Sequence, residues 1–457
     1  MRTIAFHNLG CKVNSYETDY MEQKSIENGY EIVKFEQKAD VYVVNTCSVT
    51  NIADRKSRQM LHKAKKMNPD AIVVAMGCYV QANPEEAAKD ECIDIIVGNN
   101  KKSELFEIID EYNKKKNKTE NDSKNCLSIK DLDGRTLTDI NHCEFENMNV
   151  EKSAERCRVF VKIQDGCDRY CSYCIIPYVR GNIRSRKSDD VIKEIETIAS
   201  NGYKEVVVTG IHLSSYGKDF NDGKDSAYHL GALLKRINDI DGIERIRIGS
   251  FEPMILSEEF VKELSSIKKL CPHFHISLQS GCDTVLKRMN RHYDSEKFYE
   301  KTVLLRRYFD NPALTTDVIA GFPGESEEEF NETYEYLKKI KFFETHIFPY
   351  SRRKGTVADR LPGQLTMKEK KERVDKLVKL DDSLSLEYRR SKIGKKDKII
   401  VEEVKVINGV EYLVGHTAEY VMCAIKYTKD SIDLIGQYID VEIEKMLDEK
   451  TVLAKIL

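Results

Sequence analysis

Three short apolar runs in the first eighty residues each stop two residues before a cysteine. TIAFHNL (3–9) precedes Gly10-Cys11, DVYVVN (40–45) precedes Thr46-Cys47, and AIVVAM (71–76) precedes Gly77-Cys78. EIVKF (31–35) and IDIIVG (93–98) have the same character. Helical stretches alternate with these runs. Asn14 followed by Glu17 fits a helix start with a capping-box acid, Gly29 fits its stop, and another helix covers roughly 52–67. Alternating β and α segments with apolar strands predict a parallel, doubly wound sheet covered on both faces. Loops at the carboxyl ends of such strands line a ligand crevice, so this topology would carry Cys11, Cys47 and Cys78 to one edge. Cysteine is also readily buried, and each of the three taken alone reads equally well as a packing residue.

The stretch NKKKNKTENDSKN (113–125) contains no apolar residue and reads as solvated linker or insertion, extending to about 155. A second βα series follows: RVFVKIQ (158–164), KEVVVTG (204–210), ERIRIGS (244–250), HFHISLQ (273–279), LTTDVIAG (314–321) and FFETHIF (342–348). Among its helices is one near 188–201 with Ser188 as cap. Six units are too few for the eight of a closed TIM barrel, which predicts an open (β/α)6 partial barrel with its active face at the strand ends. A charged helix over 366–390 leads to short strands separated by Gly, Asn and Asp, the pattern of a small antiparallel barrel. The expected organisation is therefore 1–112, a linker at 113–155, a core at 156–388 and a tail domain at 389–457.

Composition narrows the function. The net charge of −3 excludes a surface basic all over, so an acidic partner would have to meet a local patch. The tail from 399 on carries six Lys/Arg against eleven Asp/Glu, so it would have to bind RNA by shape or through such a patch. No window approaches the roughly 18 apolar residues of a membrane span, and the start MRTIAFHNLGCKVN has no apolar signal core. These features predict a cytoplasmic protein without membrane contact. Its thirteen cysteines should then be reduced, which points to metal binding.

The first strand of the second series ends at GCDRYCSYC, which places Cys167, Cys171 and Cys174 at C-x3-C-x2-C spacing. Structural zinc sites are closed by four ligands. A zinc reading therefore needs a fourth ligand from Cys157 or a histidine. Iron–sulfur clusters usually take four thiolates, and a cluster held by three leaves one iron open to bind a small molecule. Cys92, Cys126, Cys143, Cys157, Cys271, Cys282 and Cys423 read as buried or loop thiols, with Cys282 in QSGCD near a strand end. His275 and His346 read as barrel-lining or core residues.

The Cys167/Cys171/Cys174 motif at the end of the first of six βα units resembles the radical SAM signature. NLGCKVNSYET, VVNTCSVTN and AMGC resemble the methylthiotransferase domain of one family within that superfamily. VVVTGIHLSSYG, RIRIGSFEP, HISLQSGCDTVLKRMNR, TDVIAGFPGESEEEF and HIFPYSRRKGT resemble its radical SAM segments, and the tail resembles a TRAM domain, a small RNA-binding barrel. Cys11-Lys12-Val13-Asn14 is similar to the MtaB type, which methylthiolates C2 of N6-threonylcarbamoyladenosine beside the tRNA anticodon. Relatives acting on isopentenyladenosine or a ribosomal protein usually carry other residues after that cysteine. A non-catalytic metal-binding RNA-binding protein is the reading from a different class.

The resemblance implies two [4Fe-4S] clusters. Cys167, Cys171 and Cys174 would hold the one that cleaves S-adenosylmethionine to a 5′-deoxyadenosyl radical. Cys11, Cys47 and Cys78 would hold an auxiliary cluster that carries the sulfur. Two S-adenosylmethionine molecules would be used per turnover, and a flavodoxin or ferredoxin would donate electrons. Ser250, Glu252, Gln279, Ser280, Asp317 and Ser351 lie at or near strand ends and are candidates to bind S-adenosylmethionine. Arg180, Arg184, Arg186, Lys187, Arg352 and Arg353 follow the first and last strands and are candidates for tRNA phosphates. Asn8 departs from the threonine usual in this family three residues before the first cysteine.

Overall fold

Five parallel strands form the first layer of the chain. They are β1 (Arg2–Asn8), β2 (Tyr30–Ile32), β3 (Val41–Thr46), β4 (Ile72–Gly77) and β5 (Ile95–Val97), in the order β2-β1-β3-β4-β5. The computed structural model describes residues 2–119, 137, 139–153 and 157–457, so Cys126 lies outside it. Alternate strand residues pack into two separate cores. Ile4, Val41, Val43, Val74 and Met76 face one side, and Ala5, Tyr42, Val44, Val73 and Ala75 face the other. That double burial is why these strands read as unbroken apolar runs. The chain runs from β1 outward to β2 and then returns to β3 on the opposite side of β1, so the order reverses between β1 and β3. A reversal of this kind opens a crevice at the strands' carboxyl ends.

Helix α1 (Lys12–Glu27) begins immediately after Cys11, which is its N-cap residue. Asn14 and Glu17 are therefore helical and buried, and do not form the predicted capping box. Ser188 is likewise the first residue of its helix, and the cap position falls on Lys187. Helix α2 (Asn51–Met67) is capped by Thr50, whose side chain accepts from the backbone N–H of Ala53. The helix Leu105–Thr119 runs through the boundary predicted at 112, because the Leu105, Ile108, Ile109 and Tyr112 stripe anchors it on the sheet. The predicted linker is also packed further on, where Ile140, Met148 and Val150 are buried.

The central domain contains six parallel strands: β6 (Arg158–Asp165), β8 (Glu205–Gly210), β9 (Arg245–Ile248), β10 (His273–His275), β11 (Ala313–Ala320) and β12 (Glu344–Pro349). The short β7 (Arg184–Ser185) pairs antiparallel with the end of β6. The bridges Ile246↔Leu270 and Phe251↔Ile276 join β9 to β10, and among the described residues β12 does not close back on β6. The result is the expected open partial barrel. Its period-2 alternation separates an apolar outer face from a polar lumen. Val159, Val161, Val206, Val208, Phe274 and Leu314 join the core under the helices, whereas Thr209, Arg247, His275, Asp317 and His346 line a cavity within.

The helix Met367–Arg390 leads to a closed five-stranded barrel: β13 (Lys396–Ile407), β14 (Val410–His416), β15 (Met422–Lys426), β16 (Tyr438–Met446) and β17 (Thr451–Ile456). Its pairings are antiparallel apart from β15 with β17. This tail barrel sits against the amino-terminal end of the partial barrel. Arg245 donates to His416 O at 3.0 Å, Arg247 donates to Thr417 O and Ala418 O at 2.7 Å each, and Arg158 donates to the Tyr420 hydroxyl at 2.9 Å. Glu205, the first residue of β8, lies among these guanidiniums. Burial works to raise its pKa, but Arg247, Arg158 and Arg245 outweigh it and hold the carboxyl at about 2.

Candidate functional site

Cys11, Cys78 and Cys167 each follow a glycine with positive φ, +124° at Gly10, +96° at Gly77 and +74° at Gly166. The space around them is already taken. A Cβ on Gly10 would lie 3.3 Å from Cys47 Sγ, one on Gly77 would lie 2.8 Å from Asn45 Oδ1, and one on Gly166 would collide with the carbonyl of Asn182. Only glycine turns the chain sharply enough to bring the following cysteine back over the strand ends.

Cys11, Cys47 and Cys78 follow β1, β3 and β4, the central strands of the first sheet, with Cys11 and Cys47 flanking the switch point. The three thiols lie within reach of one another's fields. Burial, reinforced by Cys78 and Cys11, pushes the Cys47 thiol up to about 12. Burial also raises Cys11, while Arg180 works in the opposite direction. Asn99 Nδ2 donates to Cys78 Sγ at 3.5 Å. Asn14 holds the loops together by donating to Leu9 O at 2.8 Å and Thr46 O at 3.0 Å. The unusual Asn8 points away into a hydrogen bond, with its Nδ2 donating to Ser15 Oγ at 2.8 Å.

The second triad sits on a loop tied down at several points. The backbone N–H of Cys167 donates to Gly181 O at 3.0 Å, and that of Ser172 donates to Met289 O at 3.0 Å. Ser172 Oγ donates to Arg288 O at 2.8 Å, and Arg291 Nη1 donates to Cys171 Sγ at 3.1 Å. Burial pushes Cys167 up to about 11 and Cys174 up to about 12, with the neighbouring thiols adding to the effect in each case. Cys171 is buried and Cys167 and Cys174 are half-buried, and three such thiols held together are unfavourable as thiolates unless a cationic centre compensates their charge.

The donor sets fit iron–sulfur clusters better than zinc. Among the described residues, the groups of three ligand atoms within 4.8 Å of one another are His62–Asp90–Cys92 and His275–Asp317–His346, and neither includes any of these six cysteines. The sulfurs are therefore spread too widely for a single ion, as a larger polynuclear body requires. Cys157, the candidate fourth zinc ligand, precedes β6 while Cys167 follows it, so eight strand residues separate them. Its thiol lies 3.4 Å from Val401 O on the tail barrel. Each triad could hold a cluster with one iron left free.

A buried ionic network joins the two triads. Arg180, six residues after Cys174, donates to Glu17 Oε1 at 2.7 Å, to Asn14 Oδ1 at 2.7 Å and to Asp165 Oδ2 at 3.2 Å. Lys102 and Lys162 also pair with Glu17, and Lys162 reaches Asp165 at 2.5 Å. Burial raises the Glu17 carboxyl, but Arg180, Lys102 and Lys162 outweigh it and hold the group well below the usual carboxylate range. Nothing local in the sequence announces this network, because its members are separated by up to 166 residues.

This placement corrects part of the proposed RNA surface. Arg180, Arg184 and Arg186 are buried and cannot face phosphates. Arg184 donates to the carbonyls of Ile140 and Asn182 at 3.2 Å each, and Arg186 pairs with Glu194. Arg353 is also buried, with Nη1 2.6 Å from Asp54 and Nη2 2.8 Å from Ser48 Oγ. Lys187 and Arg352 are exposed, although Arg352 pairs with Asp359 at 2.5 Å. Of the candidates for S-adenosylmethionine, Ser250 and Asp317 line the cavity. Glu252 is paired with Arg169 at 2.6 Å, Ser280 is bonded to Thr333 at 3.1 Å, and Ser351 accepts from the backbone N–H of Asn51 at 3.0 Å. Gln279 adopts φ +70° in the strand-end loop between β10 and β11.

The cavity has a volume of about 940 Å³ and extends from Gly10 and Cys11 through the barrel lumen to Tyr420 of the tail. All three parts of the protein contribute walls.

Comparison with known proteins places this architecture. The Radical SAM superfamily pattern matches residues 161–337, and that of the family described as Uncharacterized protein family UPF0004 matches residues 3–98. The threonylcarbamoyladenosine tRNA methylthiotransferase MtaB of Bacillus subtilis (strain 168) is 40% identical over 447 residues, covering 97% of this chain and 94% of the relative. The chain belongs to the radical SAM methylthiotransferase family, MtaB type. A second MtaB, from Aquifex aeolicus (strain VF5), is 41% identical over 405 residues, covering 88% of this chain and 94% of its own. Among solved structures, the radical S-adenosylmethionine methyltransferase TsrM from Kitasatospora setae shares the fold of this MtaB-type chain. It has a TM-score of 0.55 and 16% identity, and the match covers 77% of this chain and 72% of that one.

Proposed function

We propose that this protein methylthiolates C2 of N6-threonylcarbamoyladenosine at position 37 of tRNA, in the anticodon loop. The observation that carries this reading is the pair of cysteine triads braced against each other through Arg180, Glu17 and Asn14. Radical chemistry alone would need one such triad, whereas sulfur insertion needs a second centre to deliver the sulfur. With [4Fe-4S] clusters on Cys167/Cys171/Cys174 and Cys11/Cys47/Cys78, and with S-adenosylmethionine, the site gains hydrogen abstraction and methylthio transfer at a C–H bond that acid–base catalysis cannot activate.

The chain's own residues shape the chamber. The lumen residues enclose it, Ser250 and Asp317 offer polar contacts to a nucleoside cofactor, and the tail barrel excludes water from below. Lys187, Arg352 and Lys354 are exposed cations for the tRNA backbone. No helix among the described residues is long and apolar enough to cross a membrane. We infer that the enzyme works in the cytoplasm with a flavodoxin or ferredoxin as electron donor.

The test is mass analysis of nucleosides in tRNA from cells lacking the protein. The methylthio form of threonylcarbamoyladenosine should vanish, the unmethylthiolated base should accumulate, and expression of the gene should reverse both. Persistence of the methylthio form would overturn the reading.

A further inference from the structure

Lys12 is the first residue of α1, adjacent to Cys11, and lines the cavity. Its side chain is exposed there and has no ion pair or hydrogen bond among the described residues. The arginines on the wall are committed, and so is His275. Arg158 pairs with Glu205 and Glu402, Arg247 with Glu205 and the Thr417 and Ala418 carbonyls, and His275 with Asp317 at 3.2 Å. Most carboxylates on the wall are engaged in the same way. Glu402 is held by Arg158 and His416, Glu344 by Arg389 at 2.5 Å, and Asp317 by His275, which leaves Glu403 on the tail barrel.

The ammonium thus stands on the cavity wall without a paired carboxylate, an arrangement completed when an anion binds. Resting on the substrate proposed above, the threonylcarbamoyl arm supplies that anion, because it ends in a carboxylate that an isopentenyl arm lacks. The arm leaves N6 on C6, and C6 and C2 flank the same ring nitrogen, N1. An arm anchored beside Cys11 therefore keeps C2 on the side of the first triad.

We propose that Lys12 binds the carboxylate of the threonylcarbamoyl arm and so selects the base that this enzyme modifies.

The experiment uses the reconstituted holoenzyme and two anticodon stem-loop RNAs, one carrying the modified base with its carboxylate free and the other carrying its methyl ester. Dissociation constants and kcat/KM are measured for both. Wild type should favour the free acid by roughly 10–100-fold, chiefly in Kd and KM. Lys12→Met should lose the preference by bringing the acid down to the level of the ester, and Lys12→Arg should keep most of it. Iron content of each variant checks cluster loading. If Lys12→Met does not load, the wild-type acid-to-ester ratio and Lys12→Arg still decide the matter. A wild type indifferent to esterification, or a loaded Lys12→Met that retains the preference, would overturn the assignment while leaving the substrate reading intact. A wild type that modifies isopentenyl-bearing RNA and neither of these two would overturn the substrate reading itself, and the role of Lys12 with it.

Discussion

Arg180 and Glu17 meet across 2.7 Å with neither side chain exposed, joining the loop behind one cysteine triad to the helix behind the other. The network has more positive than negative members, so its two ends are not equivalent. Replacing Arg180 by Met leaves Glu17 with Lys102 and Lys162. Replacing Glu17 by Gln leaves Arg180, Lys102 and Lys162 crowded without their shared carboxylate. Breaking a buried pair costs about 3–5 kcal/mol. At about 2–4 °C per kcal/mol, both variants should melt roughly 10 °C lower, with Glu17→Gln the worse. Calorimetry of the cluster-free chain checks the order. Equal or reversed losses would show that Glu17 is not the hub.

The two triads should load independently. Anaerobic reconstitution of wild type should give about eight iron and eight sulfide per chain, and Cys47→Ala or Cys171→Ala about four of each. The combined variant should bind close to none. A full complement in Cys47→Ala would remove the first triad from the site.

Glu205 anchors the tail barrel through Arg158, Arg245 and Arg247. Its folded pKa of about 2 lies below the 4.5 usual for a glutamate, so its stabilisation is complete above about pH 4.5 and is lost as pH falls toward 2. Glu205→Gln should therefore loosen the tail at neutral pH, where wild type remains docked. Small-angle scattering should then report a larger radius of gyration, and an unchanged radius would count against the anchor.

Asp381 has the opposite sign. Burial pushes its carboxyl up from 3.8 to about 6, although the backbone N–H of Thr345 donates to it at 2.6 Å. The folded state holds this proton more tightly than the unfolded state, so stability declines as pH rises from about 4 to 6. Asp381→Asn keeps an acceptor for Thr345 and removes the charge. Its melting temperature at pH 7.5 should exceed that of wild type by about 2–4 °C for each kcal/mol recovered, and the gain should disappear near pH 4. A gain independent of pH would point to packing instead.

The strands were legible because each follows a simple burial rule. Val41–Thr46 and Ile72–Gly77 are buried on both faces and read as apolar runs. The meeting of Cys11, Cys47 and Cys78 was legible because a parallel sheet puts successive strand ends on one edge. The charged residues were not legible in this way. Arg180, Arg184 and Arg186 have the composition of a phosphate-binding run, yet their partners Glu17, Ile140 and Glu194 come from distant segments or the next helix. Asn14 and Glu17 have capping-box spacing, yet a tertiary network claims both. The helix Leu105–Thr119 overran the domain boundary expected at 112 because a stripe of four apolar residues holds a helix whose next turns contain none. Lys12 was legible only within the Cys11-Lys12-Val13-Asn14 resemblance, because a lone lysine in sequence carries no sign that it lacks a partner.

The tail barrel stops the lower mouth of the partial barrel, with Tyr420 against Arg158 and Arg247 and also on the cavity wall. This makes it a seal as much as an appendage. A chain cut after the helix Met367–Arg390 would leave the reaction chamber open at its base, admitting dioxygen to the clusters and hydrogen-atom donors to a radical that must survive until it meets one chosen C–H bond. Loss of the tail would then appear first as wasted cofactor, with S-adenosylmethionine consumed and little sulfur inserted.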